Sequence, residues 1–360
     1  MSDIRFEIQQ KARDSFIDNK CKGILNIAQR VGKVKCTIEI LKKLFNYSPT
    51  VLICYPDNKI KDSFLNDFEK WSYKSIENIT FCNYSSIWKY EDRIFDLLVL
   101  DECHTLSERE MSIVKEMVKY NPKVLGLSGT ISKDTEKELK SIGLPIIFKY
   151  SMERAIKDEI ISDYEIRVHL VNLDTKIKTP NKKGKMLSEK QKYDNYSYVI
   201  SKMKQNGQNS MHLALARNRL SLSSIGKIEY TKKLLDTLKD KRCLIFCGLN
   251  KTAESLGICF YNSESAEDSS FMNFMDGKIN HLALSGIGRS GVTFPNLDCV
   301  IMLDFSYNSE STSQTCSRAL NMDYGDKIAK LLIVSLNEPP ELKKLKESLS
   351  MLDQNKIKYV

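Results

Sequence analysis

The sequence predicts an α/β protein of two tandem units, each a mainly parallel sheet with helices on both faces. Three observations carry this. Short apolar runs alternate with helix-patterned segments about every 25 residues in the first half. The runs are predominantly apolar instead of alternating, as in strands buried on both faces. The pattern lapses in a polar middle and then resumes, and 360 residues are enough for two domains of ordinary size.

Residues 4–12 open a helix, and residues 23–28 read as a buried strand. The loop Gln29-Arg30-Val31-Gly32-Lys33-Val34 follows, then a helix with Cys36, Ile40, Leu41 and Leu44 on one face. Strand, Gly-Lys loop and helix form the context of a phosphate-binding loop. There the backbone N–H groups and the helix N-terminus hold phosphates, and the Lys reaches the β- and γ-phosphates. Two positions depart from G-x-x-x-x-G-K-[ST]: Ile27 stands at the first Gly and Val34 at the hydroxyl residue. Thr37 lies about one helical turn, roughly 5 Å, beyond Val34 and is a poor substitute.

Residues 51–56 form the next strand, and the helix after it sets Ile60, Phe64, Phe68 and Trp71 on one core face. Residues 79–84 read as a strand running into Ser85-Ser86. The apolar run at 95–100 ends in Asp101-Glu102, followed by Cys103-His104. Paired carboxylates at the C-terminal end of a parallel strand sit where open α/β sheets place their ligands. In a nucleotide hydrolase the first holds Mg²⁺ and the second polarises the attacking water. The next strand, from Val124, ends in Ser128-Gly129-Thr130.

Residues 163–168 look like a strand leading out of the first half. From Lys176 to Gln208 the chain is rich in Lys, Asn, Ser and Tyr, with a basic run that includes Lys182, Lys183 and Lys185. A solvated linker and a phosphate-tracking surface are both open for this run. After a helical region, strands recur at 243–247, 281–284, 299–304 and 331–334. The expected division is a first domain over 1–160, a linker or basic insertion over 161–215 and a second domain over 216–360.

Composition narrows the setting. The net charge of +9 suits a polyanionic partner. There is no long charge-free apolar run and no signal-peptide pattern, so a cytoplasmic location is expected. Ten Cys without a C-x-x-C pair, several inside strand-like runs (Cys54, Cys243, Cys299), read as reduced core thiols; four His in the whole chain argue against a zinc site.

Together and in this order, Gly32-Lys33, Asp101-Glu102-Cys103-His104, Ser128-Gly129-Thr130, Gly288-Arg289-Ser290-Gly291-Val292 and Gln314-Thr315-Cys316-Ser317-Arg318 resemble the superfamily 2 helicases and translocases, DEAD/DEAH-like and compact as in phage-type members. The resemblance covers nearly the whole chain. It implies two RecA-like domains, with ATP and Mg²⁺ in the cleft between them and nucleic acid across the top, DNA favoured over RNA, in a host cytoplasm if the chain is phage-encoded. It assigns the adenine contact to Gln9, or to Gln10 in a shifted register, and the nucleotide loop to Arg30, Val31, Gly32, Lys33 and Val34. Asp101 becomes the metal ligand and Glu102 the water-activating base. His104, Ser128 and Thr130 become coupling residues. Pro56, the segment Asn83-Tyr84-Ser85-Ser86, Asn250, Lys251, Arg289 and Ser290 become backbone-gripping residues. Gln314 and Arg318 complete the catalytic set, with Arg318 reaching the γ-phosphate. The family's usual Gln-Arg-x-Gly-Arg-x-x-Arg run is thinned here, with Thr315 for the first Arg and Asn321 for the last. An ATP-driven helicase or translocase is the leading expectation. A helicase fold that binds nucleic acid without turnover, and an RNA helicase, are the alternatives.

Overall fold

The computed structural model describes residues 2–56, 59–181, 184–262, 269–285, 294, 297–305 and 328–360. The described chain divides into two compact units between Asp163 and Tyr164.

The first unit runs α1 (Ser2–Asp18), β1 (Lys22–Ile27), α2 (Lys33–Leu44), β2 (Val51–Tyr55), α3 (Lys59–Lys70), β3 (Ile79–Asn83), a 3₁₀ turn (Tyr84–Tyr90), β4 (Leu97–Asp101), α4 (Glu108–Tyr120), β5 (Val124–Ser128), α5 (Lys133–Ser141), β6 (Ile146–Tyr150) and α6 (Met152–Lys157). Its six strands lie in the order β3-β2-β4-β5-β1-β6, and every pairing is parallel. All residues of β2, β4 and β5 are buried, so both faces of this sheet are covered, as uninterrupted apolar runs require. Register sets the functional edge. Asp101 pairs with Leu127, and Ser128 pairs with Asn26, so the C-terminal ends of β4, β5 and β1 finish at one level.

One core assignment fails. Ile60, Phe64 and Phe68 are buried, but Trp71 is 39% exposed. Helix α3 ends at Lys70, one residue before it, so the helical spacing that would have buried the indole no longer applies. The ring instead lies under the Lys35 ammonium, 4.0 Å from its centroid.

The second unit runs β7 (Tyr164–Val171), β8 (Lys178–Pro180), β9 (Met186–Ser188), α7 (Glu189–Gln205), α8 (Met211–Leu222), α9 (Ile225–Thr237), β10 (Cys243–Cys247), α10 (Asn250–Ser255), β11 (Phe260–Tyr261), α11 (Ser269–Met275), β12 (His281–Ser285), β13 (Cys299–Met302), β14 (Ala329–Leu336), α12 (Pro339–Ser348) and β15 (Ile357–Tyr359). Seven parallel strands lie in the order β11-β12-β10-β13-β14-β7-β15, and β8 and β9 form a separate antiparallel hairpin. Both large sheets are parallel, as the unbroken apolar runs predict. Strand β7, which reads from sequence as leading out of the first half, pairs with β14 along its full length. The segment 161–215 therefore contains a strand of the second sheet, a hairpin, helix α7 and the start of α8. Cys54, Cys243 and Cys299 are buried free thiols. No described helix is long and apolar enough to cross a membrane.

Candidate active site

The site of the first unit is built on the ends of β1, β4 and β5. The loop leaving β1 is pinned at its root, where the Ala28 N–H donates to the Tyr150 carbonyl at the end of β6 (2.8 Å). Arg30 and Gly32 both take left-handed backbone (φ 70° and 106°). Two features favour glycine at 32. Its φ disfavours a side chain, and a Cβ there would lie 2.6 Å from Gln9 Nε2. Helix α2 then starts at Lys33 with no side-chain cap on its N-terminus, which leaves first-turn N–H groups available for an anion.

Gln9 reaches this loop from α1. It is buried, and its Nε2 donates to the Val31 carbonyl (2.8 Å). Gln10, the alternative register, is only half-buried. Val31 is buried and Val34 half-buried at the start of α2. Thr37 is fully buried with its hydroxyl donating back to the Lys33 carbonyl (3.4 Å), so it offers no hydroxyl to the loop.

The Lys33 ammonium bonds Glu102 Oε1. On the other carboxylate oxygen, His104 Nδ1 lies 3.5 Å from Glu102 Oε2 and 2.8 Å from Ser128 Oγ. The Ser128 hydroxyl donates in turn to the Thr130 carbonyl (3.0 Å). A continuous polar line thus runs from the Gly-Lys loop through Glu102 and His104 to the end of β5. Glu102 has left-handed backbone (φ 49°), uncommon for a residue with a side chain, at the point where β4 gives way to the His104 turn.

Electrostatics separates the two carboxylates. Burial would raise Glu102, but the Lys33 ammonium and His104 outweigh it and hold the group below the usual carboxylate range. Lys33 is raised in return, since its attraction to Glu102 and Asp101 exceeds the cost of burial. Asp101 goes the other way. Burial pushes it up to about 7, with Lys33 opposing and the neighbouring Glu102 charge adding. Its Oδ1 is buried with no hydrogen-bond partner among the described residues.

That orphaned oxygen is the test of fit for Mg²⁺. Mg²⁺ takes hard oxygen ligands, usually one or two carboxylates, with water and substrate phosphates completing the shell. Asp101 meets this, with Glu102 beside it. No group of three or more metal-ligating side chains occurs among the described residues, so the remaining ligands would be water and phosphate.

A pH prediction follows from Asp101. Between its ordinary value and about 7 the folded chain holds a proton that the unfolded chain releases, so stability without divalent cation falls as pH rises through that window. Asp101→Asn should therefore melt higher than wild type at pH 8 in EDTA, by on the order of 5 °C, with the gap closing toward pH 5. Thermal melts at the two pH values check this; an Asn variant that melts lower at pH 8 would show that the carboxylate is paired after all.

Residues 4–133 match the family described as "Type III restriction enzyme, res subunit", and residues 226–323 match "Helicase conserved C-terminal domain". In the same order, the two matches fall on the two parallel-sheet units. The chain belongs to helicase superfamily 2. No curated protein sequence matches it. Among solved structures it is similar to S. cerevisiae Dbp5 bound to RNA and ADP BeF3, at 13% identity and a TM-score of 0.62, over 98% of this chain and 89% of that one. It is also similar to the ATP-dependent Type ISP restriction-modification enzyme LlaBIII bound to DNA, at 12% identity and a TM-score of 0.62, over 98% of this chain but 31% of that larger one. At such identities the likeness establishes the fold of two tandem RecA-like domains.

Within this superfamily 2 chain, the expected backbone-gripping residues of the first unit lie together. Asn83, the last residue of β3, donates through Nδ2 to the Pro56 carbonyl (3.0 Å). Its Oδ1 accepts from the Ser85 N–H (3.0 Å) and the Ser85 hydroxyl (2.9 Å). Ser85 is exposed and Ser86 half-buried. Between them and the carboxylates stands Tyr84, buried, its hydroxyl donating to the Asp101 carbonyl (2.7 Å). The resemblance includes Asn83 and Tyr84 in this backbone-gripping segment, but their contacts to Pro56 and Asp101 could not be read from sequence. In the second unit Asn250 and Lys251 open the short helix α10, with Lys251 exposed. Arg289, Ser290, Gln314 and Arg318 lie outside the described residues, as do Thr315 and Asn321.

Proposed function

We propose that the chain is a nucleic-acid-stimulated ATPase that moves along a strand, with DNA as its preferred track. The observation that carries this is the line Lys33–Glu102–His104–Ser128, set beside a buried Asp101 oxygen without a partner. Phosphoryl transfer asks for positioned charge more than covalent chemistry. Lys33 and the N–H groups opening α2 hold the phosphates. Glu102, ionised at neutral pH, orients the attacking water and accepts its proton. Asp101 would hold Mg²⁺, which would supply positive charge against the phosphates. Gln9 meets the base, and Arg318 is the arginine that the family resemblance assigns to the γ-phosphate. Pro56, Ser85 and Ser86, with Asn250 and Lys251, take phosphates of the strand without reading its bases.

Two features support DNA: the restriction-enzyme description of the family matched by residues 4–133, and the similarity to a restriction-modification enzyme bound to DNA. The RNA-bound Dbp5 makes RNA the necessary comparison. A second reading, binding without turnover, draws on Val34 and on a Thr37 hydroxyl turned back into its own helix. The decisive experiment measures ATP hydrolysis by the purified chain with single-stranded DNA, duplex DNA, RNA or no nucleic acid. Stimulation by DNA above RNA is expected. Stimulation by RNA alone would replace the choice of track, and tight binding with no hydrolysis would establish the second reading.

A further inference from the structure

We propose that the segment 176–222 is a second nucleic-acid grip, separate from the loops above, that takes the phosphate backbone of duplex DNA. Its charge is the first observation. The segment holds 47 residues with eleven Lys and Arg against two Asp and Glu, a net +9. That equals the net charge of the entire chain; the other 313 residues carry 44 of each sign. A superfamily 2 chain that is neutral outside one stretch has concentrated its affinity for polyanions there.

The structure sorts nine of these cations into two groups; Lys182 and Lys183 lie outside the described residues. Three build the module. Lys190 pairs with Asp194 (2.8 Å) and Glu338 (2.9 Å), anchoring the start of α7 to the residue before α12. Lys192 donates to the Thr179 hydroxyl (2.5 Å) and the Pro180 carbonyl (3.2 Å), fixing the β8–β9 hairpin to α7. Arg217 of α8 donates to the Ser197 hydroxyl of α7 (3.2 Å) and lies over the buried Tyr193 ring. Six others, Lys176, Lys178, Lys185, Lys202, Lys204 and Arg219, are exposed and form no ion pair among the described residues. They spread over the hairpin and both helices, and α7 alone, at 17 residues, spans about 25 Å. Rows of cations on that scale match duplex phosphates, which present about one charge per 1.7 Å of axis.

The occupant follows from what accompanies the charge. Proteins that hold single strands without sequence preference interleave their cations with aromatic side chains on which bases stack. Here Tyr198 is the one strongly exposed aromatic among the described residues of the segment; Tyr196 is half-buried and Tyr193 buried. Exposed cations without a stacking ladder suit a backbone whose bases stay paired. The inference rests on the proposed function only in its choice of DNA.

The test uses the full chain and measures binding of a short duplex and of single-stranded DNA without nucleotide, across a salt series. The variant replaces all six exposed cations by Gln: Lys176→Gln, Lys178→Gln, Lys185→Gln, Lys202→Gln, Lys204→Gln and Arg219→Gln. Duplex affinity should fall by at least about 10-fold at low salt, and the slope of log affinity on log salt should shrink by about 3–5, since each phosphate contact contributes roughly 0.9. Single-strand affinity should fall less. A charge-reversed variant confined to the helices, Lys202→Glu with Lys204→Glu and Arg219→Glu, should weaken duplex binding further per residue changed. Unaltered melting temperatures for both variants establish that the fold is kept. An unchanged duplex slope, an equal loss on single strand and duplex, or a loss of binding to anionic vesicles with duplex binding intact would each overturn the proposal. Because binding is read without ATP, a wild-type chain that hydrolyses nothing would refute the ATPase reading and leave this result standing.

Discussion

Glu102→Gln is expected to lower ATP turnover by about 10²–10⁴-fold while leaving nucleotide affinity within a few-fold. Gln keeps the shape and one acceptor oxygen but cannot take a proton from water. The substitution should spare binding for an electrostatic reason. Lys33 is held charged by Asp101 as well as by Glu102, so losing one carboxylate leaves it an ammonium facing the phosphates. Asp101 should also ionise more readily, because Glu102's charge is one of the causes that raise it. Single-turnover hydrolysis and fluorescent-nucleotide titration separate the two effects. Turnover near wild type would remove Glu102 from the role of base.

Lys33→Ala carries the second large effect, on both binding and stability. Glu102 is half-buried, and its negative charge is sustained chiefly by the ammonium bonded to it. Removing one partner of a buried pair costs up to about 3–5 kcal/mol, because the other is left charged and desolvated. The side chains here keep 13% and 16% of their exposure, so the lower end of that range applies. Nucleotide binding should fall below detection at ordinary concentrations, since the phosphates lose their only nearby ammonium among the described residues of the loop. The pH dependence has a definite sign. In wild type the depressed Glu102 contributes stability at neutral pH that is lost as pH falls through its folded value. In the variant only His104 and a backbone hydrogen bond from Gly129 still oppose burial, so the group rises, and the variant is least stable at high pH and recovers by taking up a proton. The gap in melting temperature between wild type and variant should be wide at pH 8 and narrow at pH 5. An equal gap at both values would mean that Lys33 contributes through packing of its stem instead.

Much of the first sheet was legible because its strands are buried on both faces, and such strands announce themselves as unbroken apolar runs. Strand β6 was not. It is an edge strand, its residues are half-buried or exposed except Tyr150, and Lys149 interrupts the run. Yet β6 supplies the carbonyl that pins the Gly-Lys loop. The position of Asp101-Glu102 at a strand end could be read because a single short stretch holds the whole pattern. Asn83 and Tyr84 were legible as part of a backbone-gripping segment, but not their contacts to Pro56 and Asp101, 27 and 17 residues away. The choice between Gln9 and Gln10 needed the burial of one face of α1. In the basic run, spacing gave no means to tell Lys190, committed to Glu338, from Lys185, which is exposed.

The stretch Asn83-Tyr84-Ser85 joins the turn at Pro56, through Asn83, to the main-chain carbonyl of Asp101, through Tyr84, and holds the exposed Ser85 hydroxyl between them. In an enzyme working as proposed, this makes the track and the fuel two ligands of one lever. Linkage then imposes a symmetry between them. By whatever factor a bound strand tightens nucleotide at Asp101, bound nucleotide must tighten the strand at Ser85 by the same factor. The moment of letting go of the strand is therefore set by the chemical state of the nucleotide, and a chain that loosened Tyr84 from Asp101 would burn ATP without keeping step.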